Sequence, residues 1–140
     1  MTAIAVNLTA ITTYSPIPPT PVYTEARTDF SIEAEYIAKT IYGEARGCSP
    51  YEQEQVVWCI LNRVDSERFP DTVVEVVTQP RQFHGYSKHW PVWEEHYDIA
   101  LDVLYRWEAE KNGEESYRNL EPDYLYFGGD GKHNYFRKEY

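Results

Sequence analysis

The strongest constraint on the fold is a helix-start signal near the middle of the chain. Residues 49–52 read Ser-Pro-Tyr-Glu, which is a capping box with proline at the first helical position. The apolar residues that follow recur at helical spacing and mark a buried face: Val56, Val57, Ile60, Leu61 and Val64. The helix must end before Phe69, because Pro70 disfavours helical geometry in the residue before it.

Three further segments have helical character. The first has an apolar stripe made by Ala34, Ile37, Ala38, Ile41 and Ala45, with Ser31 as the predicted N-cap and Gly47 as the predicted end. Asp71 can cap a short segment, residues 72–78, in which the many valines make helix and strand hard to separate. The last helix is expected over residues 92–110, with a stripe of Trp93, Tyr97, Ala100, Leu101 and Leu104.

The C-terminal part of the chain predicts a β-hairpin. Two aromatic runs, residues 124–127 and 132–136, flank the Gly-Gly-Asp-Gly sequence of residues 128–131. Because the predicted helices come first along the chain and the small sheet comes last, we expect a compact α+β domain over residues 31–140. Residues 1–30 contain a proline cluster and are predicted to form a flexible or extended lead-in outside the core.

Charge and apolar content exclude several functions. The net charge is −10 and no Lys/Arg cluster is long enough to follow a phosphate backbone, so nucleic acid and anionic membrane surfaces are not expected partners. No apolar run is long enough to span a bilayer, and no secretion signal is recognisable at the start of the chain. Cys48 and Cys59 are expected to lie too far apart for a disulfide. We expect a monomer without a cofactor.

Glu44 is the leading candidate for a catalytic acid. It follows Ile41 by three residues and Ile37 by seven, so it lies on the border of the first apolar stripe. Partial burial raises the pKa of a carboxyl group, which suits a proton donor at neutral pH. The alternative is a structural ion pair with Arg46 or another arginine at the helix end.

The motifs around Glu44 resemble a known family. Residues 42–47, Tyr-Gly-Glu-Ala-Arg-Gly, are followed by Leu-Asn-Arg-Val at residues 61–64, by Gln82-Phe83 and by Gly-x-His-x-Tyr at residues 131–135. This pattern is similar to that of the SleB/CwlJ type of bacterial cell-wall hydrolase over roughly residues 35–140.

The resemblance implies a lysozyme-like helical fold and cleavage of the peptidoglycan glycan strand beside N-acetylmuramic acid. It also implies a single essential glutamate, which corresponds to Glu44. The implied location is the cell wall or the extracellular space, including a bacterial spore or delivery by a phage.

A second carboxylate, required by the usual hydrolytic scheme, has only weak candidates in Asp123 and Asp130. Asp130 lies between glycines and is more typical of a turn. A single acid fits a lytic transglycosylase better, in which the 6-hydroxyl of the muramic acid itself attacks.

The sugars are expected to contact Gln82, Phe83, Tyr126 and His133. Core packing is an equal alternative for Phe83 and Tyr126, and a solvated position is the alternative for His133. Asn62 and Arg63 are expected to connect helices. The four histidines, His84, His89, His96 and His133, lack the spacing of a metal site. A non-catalytic peptidoglycan-binding module is the alternative function.

Overall fold

A computed structural model describes residues 27–80, 83 and 85–140 of the chain. It contains four helices, α1 (Ser31–Ala45), α2 (Pro50–Asp65), α3 (Val73–Thr78) and α4 (Glu94–Lys111). The strands β1 (Tyr126–Gly129) and β2 (Asn134–Arg137) pair antiparallel, with Phe127 opposite Phe136. The predicted α+β class with a small C-terminal hairpin is therefore confirmed.

Helix α2 is the centre of the domain. Every residue from 56 to 63 is buried, which is wider than the predicted stripe, because α1, α3, α4 and β1 all pack against this helix. Ser49 caps it as predicted, since its hydroxyl accepts a hydrogen bond from the backbone N–H of Glu52 at 3.2 Å. Val64, at the end of the predicted face, is only half-buried.

Helix α1 packs against the other three helices. All five residues of its predicted stripe are buried. Ser31 is its first residue and not its N-cap, and the backbone N–H of Ser31 donates to the carboxylate of Asp29 at 2.9 Å. Phe30 is buried in the core and packs edge-on against Tyr105, so the packed region includes the end of the segment predicted to lie outside it. The proline cluster of that segment lies outside the described residues.

Two other expectations differ from the structure. The segment left open between helix and strand is helical over Val73–Thr78, and the difference lies in its cap: Thr72, not Asp71, accepts from the backbone N–H of Glu75 at 3.1 Å. In α4 the buried residues are His96, Ala100, Val103 and Leu104. The stripe is rotated from the predicted one, and Trp93 lies 40 % exposed just before the helix.

Asn62 and Arg63 fix α2 to the segment that leads into β1. The side-chain amide of Asn62 donates to the backbone carbonyls of Glu121 at 2.8 Å and Tyr124 at 3.0 Å. Arg63 donates from Nε to the carbonyl of Leu125 at 2.7 Å. The prediction of a structural role is confirmed, although the connection runs to a loop instead of another helix.

No described helix combines the length and apolarity that crossing a membrane requires.

We predict that Asn62→Ala lowers the free energy of unfolding by roughly 2–3 kcal/mol, because it leaves two backbone carbonyls, in partly buried hydrogen bonds, without their donor. Urea denaturation measures the effect. Asn112→Ala, at an exposed position after α4, is the matched control and should change stability by less than about 0.5 kcal/mol. Equal losses in both variants would contradict the assigned role.

Candidate active site

Glu44 lies in the last turn of α1, next to the buried Ala45. Its side chain is half-buried, and the backbone N–H of Gly85 donates to its Oε1 atom at 2.8 Å. Gly85 belongs to the loop between α3 and α4. The carboxyl group is thus held by a backbone donor from a segment that is distant in sequence. The predicted alternative partner, Arg46, instead donates to the carbonyl of Tyr42 at 2.9 Å.

Two glycines allow the loop to approach Glu44 so closely. A Cβ atom on Gly43 would overlap the carbonyl oxygen of Gly85. A Cβ atom on Gly85 would lie 2.6 Å from Cγ and 2.7 Å from Cδ of Glu44. Both distances are shorter than van der Waals contact permits, so only glycine fits at these positions without moving the acid.

Glu44 opens onto a pocket of about 230 Å³. The pocket lies between the end of α1 and the turn of the hairpin, and its lining consists of Gly43, Glu44, Ala45, Arg46, Gly47 and Gly131. The hairpin turn touches the opposite rim, since a Cβ atom on Gly47 would lie 3.0 Å from the carbonyl oxygen of Gly131. A larger cavity of about 390 Å³ is lined by hairpin residues alone and does not include Glu44.

Glu52 holds the hairpin in this position. Its Oε1 atom lies 2.9 Å from Nδ1 of His133, and its Oε2 atom accepts from the backbone N–H of Asn134 at 2.9 Å. The reciprocal half of the predicted capping box is therefore replaced by a contact with the hairpin. Asn134 also contacts Cys48, with 3.4 Å between Nδ2 and Sγ.

Cys48 and Cys59 form no disulfide, as expected. Burial raises the pKa of the Cys59 thiol to about 12.

Both candidates for a second carboxylate have structural partners. Oδ1 of Asp130 accepts from the backbone N–H groups of Lys132 and His133, each at 2.9 Å, and these bonds lower the pKa of Asp130. Asp130 is therefore a turn residue, as its glycine neighbours predicted. Asp123 forms an exposed ion pair with Lys138 at 3.0 Å.

Phe83 and Tyr126, two of the residues expected to contact sugar, meet at Arg63. The Arg63 guanidinium lies 4.5 Å from the Phe83 ring centre and 5.3 Å from that of Tyr126. Burial lowers the pKa of Arg63, and neighbouring groups including Glu44 oppose that shift. Phe83 is only 6 % exposed, which favours packing as its role.

The remaining predicted site residues lie apart. His133 is exposed on the hairpin and paired with Glu52, two residues after the pocket residue Gly131. Gln82 lies outside the described residues. Within residues 27–80, 83 and 85–140, no three His, Cys, Asp or Glu side chains are grouped to hold a metal ion.

The sequence interpretation missed Gly85 and the second role of Glu52. Gly85 lies between the predicted helical segments 72–78 and 92–110, and a glycine in such a connection can indicate close backbone approach. The contacts of Glu52 join residues that are 81 and 82 positions apart. A single sequence carries no local signal for such a pairing.

We predict that Gly85→Ala lowers the free energy of unfolding by about 1–3 kcal/mol, because the new methyl group overlaps the Glu44 side chain. Thermal and urea denaturation measure the loss. Gly128→Ala is the matched control, since a Cβ atom there meets nothing within 4 Å. A Gly85→Ala protein as stable as the control would show that the loop does not press on Glu44.

We predict that hairpin docking weakens at alkaline pH. Glu52 raises the pKa of His133 above its ordinary value of 6.5, and His133 lowers the pKa of Glu52 below its ordinary 4.5. The stabilisation is therefore fully present between about pH 4.5 and 6.5, and it is lost as the pH rises through the raised pKa of His133. The effect is small because His133 is exposed.

Thermal unfolding of the native chain and of His133→Asn, followed from pH 6 to pH 9, tests this docking. The native chain should lose more stability than the variant over that range. His89→Asn, in the exposed part of the α3–α4 loop, should behave like the native chain. Parallel curves for the native chain and His133→Asn would contradict the assignment.

Comparisons with known proteins agree on one family. The chain matches the Cell Wall Hydrolase family over residues 49–136. It is 40 % identical over 85 residues to a spore cortex-lytic enzyme of Oceanobacillus iheyensis, which covers 57 % of this chain and 30 % of the relative. It is 46 % identical over 48 residues to the spore cortex-lytic enzyme of Bacillus subtilis, which covers 34 % of this chain and 15 % of the relative.

These similarities have clear bounds. The chain matches less than a third of the length of each of these relatives, and no solved structure matches it significantly. The likeness to lysozyme therefore remains a prediction. The family match begins at residue 49, after Glu44, so the candidacy of Glu44 rests on its geometry and on the motif around it. The family model matches most of the chain, from the capping box to β2, and the chain therefore belongs to the Cell Wall Hydrolase family.

Proposed function

We propose that this chain cleaves the glycan strand of peptidoglycan beside N-acetylmuramic acid, with Glu44 as its proton donor. The observation that carries the proposal is the placement of a half-buried carboxyl group at a pocket, with one oxygen held by a backbone N–H. Membership of the family and the relatives named spore cortex-lytic enzymes support a wall polymer as substrate. The working location would be the bacterial cell wall or the spore.

The hydrogen bond from Gly85 favours one carboxyl oxygen of Glu44 as the carrier of the proton. Because Oε1 accepts from the Gly85 N–H, a proton on the neutral acid is favoured on Oε2. A glycosidic oxygen within hydrogen-bond distance of Oε2 would receive it as the bond to the anomeric carbon breaks. The backbone donor would thereby orient the carboxyl group for proton transfer before substrate binds.

We further infer a lytic transglycosylase mechanism. Asp123 and Asp130, the predicted candidates for a second carboxylate, are occupied by Lys138 and by the hairpin turn. After Glu44 protonates the leaving oxygen, the 6-hydroxyl of the muramic acid attacks the cationic anomeric carbon and closes a 1,6-anhydro ring. Its proton returns to Glu44, which now acts as base, and no water is consumed.

We predict that Glu44→Gln lowers the rate of peptidoglycan cleavage roughly 10²- to 10⁴-fold, the range expected for loss of a general acid. Glutamine keeps an oxygen that can accept from Gly85, so the fold should be retained. Release of soluble fragments from purified peptidoglycan measures the rate. Glu33→Gln, a change at a half-buried position in the first turn of α1 that does not line the Glu44 pocket, is the matched control and should cleave like the native chain.

Mass spectrometry of the product ends distinguishes the two mechanisms. Ends of the 1,6-anhydro type support the transglycosylase, whereas ordinary reducing ends would rule it out and leave a hydrolase. Binding to peptidoglycan without cleavage, in the native chain as well as in Glu44→Gln, would instead identify a non-catalytic binding module.

A further inference from the structure

Three aromatic side chains form a continuous surface beside Glu44, which we term the aromatic ledge and define as Tyr42, Trp90 and Trp93. The ring centres of Trp90 and Trp93 each lie 5.1 Å from that of Tyr42. Trp90 is 38 % exposed and Trp93 is 40 % exposed. Two tryptophans left this open to solvent cost hydrophobic free energy, so the ledge is better explained by a ligand than by packing.

The ledge is joined to the candidate acid through one residue. The indole N–H of Trp90 donates to the backbone carbonyl of Gly85 at 2.7 Å, and the N–H of the same Gly85 donates to Glu44 at 2.8 Å. A ligand that contacts the Trp90 ring therefore lies close to the carboxyl group. Arg46, which lines the Glu44 pocket, covers the Tyr42 ring with 4.7 Å between its guanidinium and the ring centre.

The rings are held in place before any ligand binds. Trp93 stacks on the buried His96, with 5.1 Å between ring centres and 26° between planes, so one face of Trp93 is covered from below. Tyr42 meets Trp93 edge-on at 86°. The Trp90 hydrogen bond to Gly85 restricts its rotation. A preformed ring surface loses little side-chain entropy on binding.

We propose that the aromatic ledge is a sugar-binding subsite, on which one pyranose ring of the glycan strand packs next to the bond that Glu44 cleaves. This proposal rests on the proposed function for the identity of the ligand. The axial C–H groups of a pyranose form an apolar face that packs on an aromatic ring, while its hydroxyl and acetamido groups remain available to polar partners. Arg46 supplies donors at the same rim.

Charge supports this mode of binding. The chain has a net charge of −10, so it gains no long-range attraction to an anionic wall polymer. Affinity for the strand must then come from short-range contacts. Exposed rings adjacent to the acid supply such contacts, whereas an exposed ring elsewhere, such as Tyr117 at 59 % exposure, would not position the scissile bond.

The test measures binding of soluble, peptide-free glycan strands in the Glu44→Gln background, where cleavage is expected to be slow. Trp93→Ala should weaken binding roughly 5- to 10-fold by calorimetry, whereas Trp93→Tyr, which keeps a ring, should retain most of the affinity. Tyr117→Ala is the matched control and should bind like its parent. Circular dichroism confirms that each variant is folded.

A second readout does not depend on the variants. The glycan strands should shield the protein from acrylamide quenching of tryptophan fluorescence, because Trp90 and Trp93 are well exposed while Trp58 is fully buried.

Two further measurements use the Trp93→Ala variant. In the chain that keeps Glu44, Trp93→Ala should raise KM by a similar factor and change kcat less than about twofold. Sedimentation velocity should give the same mass with and without Trp93→Ala.

The outcomes separate this proposal from the one on which it rests. Unchanged affinity in Trp93→Ala, or no protection from quenching, would overturn the subsite even if Glu44→Gln is inactive. An active Glu44→Gln protein with weakened binding in Trp93→Ala would retain the subsite and reject the acid. A mass change in Trp93→Ala with unaltered glycan affinity would identify the ledge as a contact between two copies of the chain and overturn the sugar assignment.

Discussion

The contact between the Gly85 backbone and the end of α1 is the constraint on which the site depends. It combines a hydrogen bond to Glu44 with a close approach that side chains at residues 43 and 85 would prevent. Because the donor is a backbone group, its direction is set by the path of the loop and not by a rotatable side chain. The Glu44 carboxyl group is therefore oriented by the fold itself.

Three segments that are remote in sequence meet around the pocket. The end of α1 supplies Glu44, the α3–α4 loop supplies Gly85 and Trp90, and the hairpin turn supplies Gly131. Each is fixed by a small number of polar contacts to the central helices, such as that of Glu52 with Asn134. The buried helix α2 acts as the common support, since Arg63 and Glu52 both extend from it.

The sequence was most informative where structure depends on neighbours along the chain. The stripe of α1, the cap at Ser49 and the Gly/Asp turn of the hairpin all follow from local spacing and turn chemistry. Periodicity alone placed Glu44 at the border of a buried face. These features required no knowledge of how the helices pack.

Features that depend on contacts across the fold were not predictable. Trp93 fits an apolar stripe by spacing, yet the packing of α4 turns His96 inward and leaves Trp93 partly in solvent. Glu52 matches a capping box, yet its carboxylate is taken by the hairpin. Phe30 is the last residue of the segment assigned as a lead-in, but it is buried in the core and packs against Tyr105. In each case tertiary packing overrides a local preference.

The bond between Glu52 and Asn134 spans 82 positions, and this has a consequence for the order of assembly. The bond can close only after β2 has been synthesised, and β2 follows all four helices along the chain. Glu44 lies in the first of those helices and Gly131 lies in the hairpin turn. The pocket between them is therefore complete only when the last described element of the fold has been made.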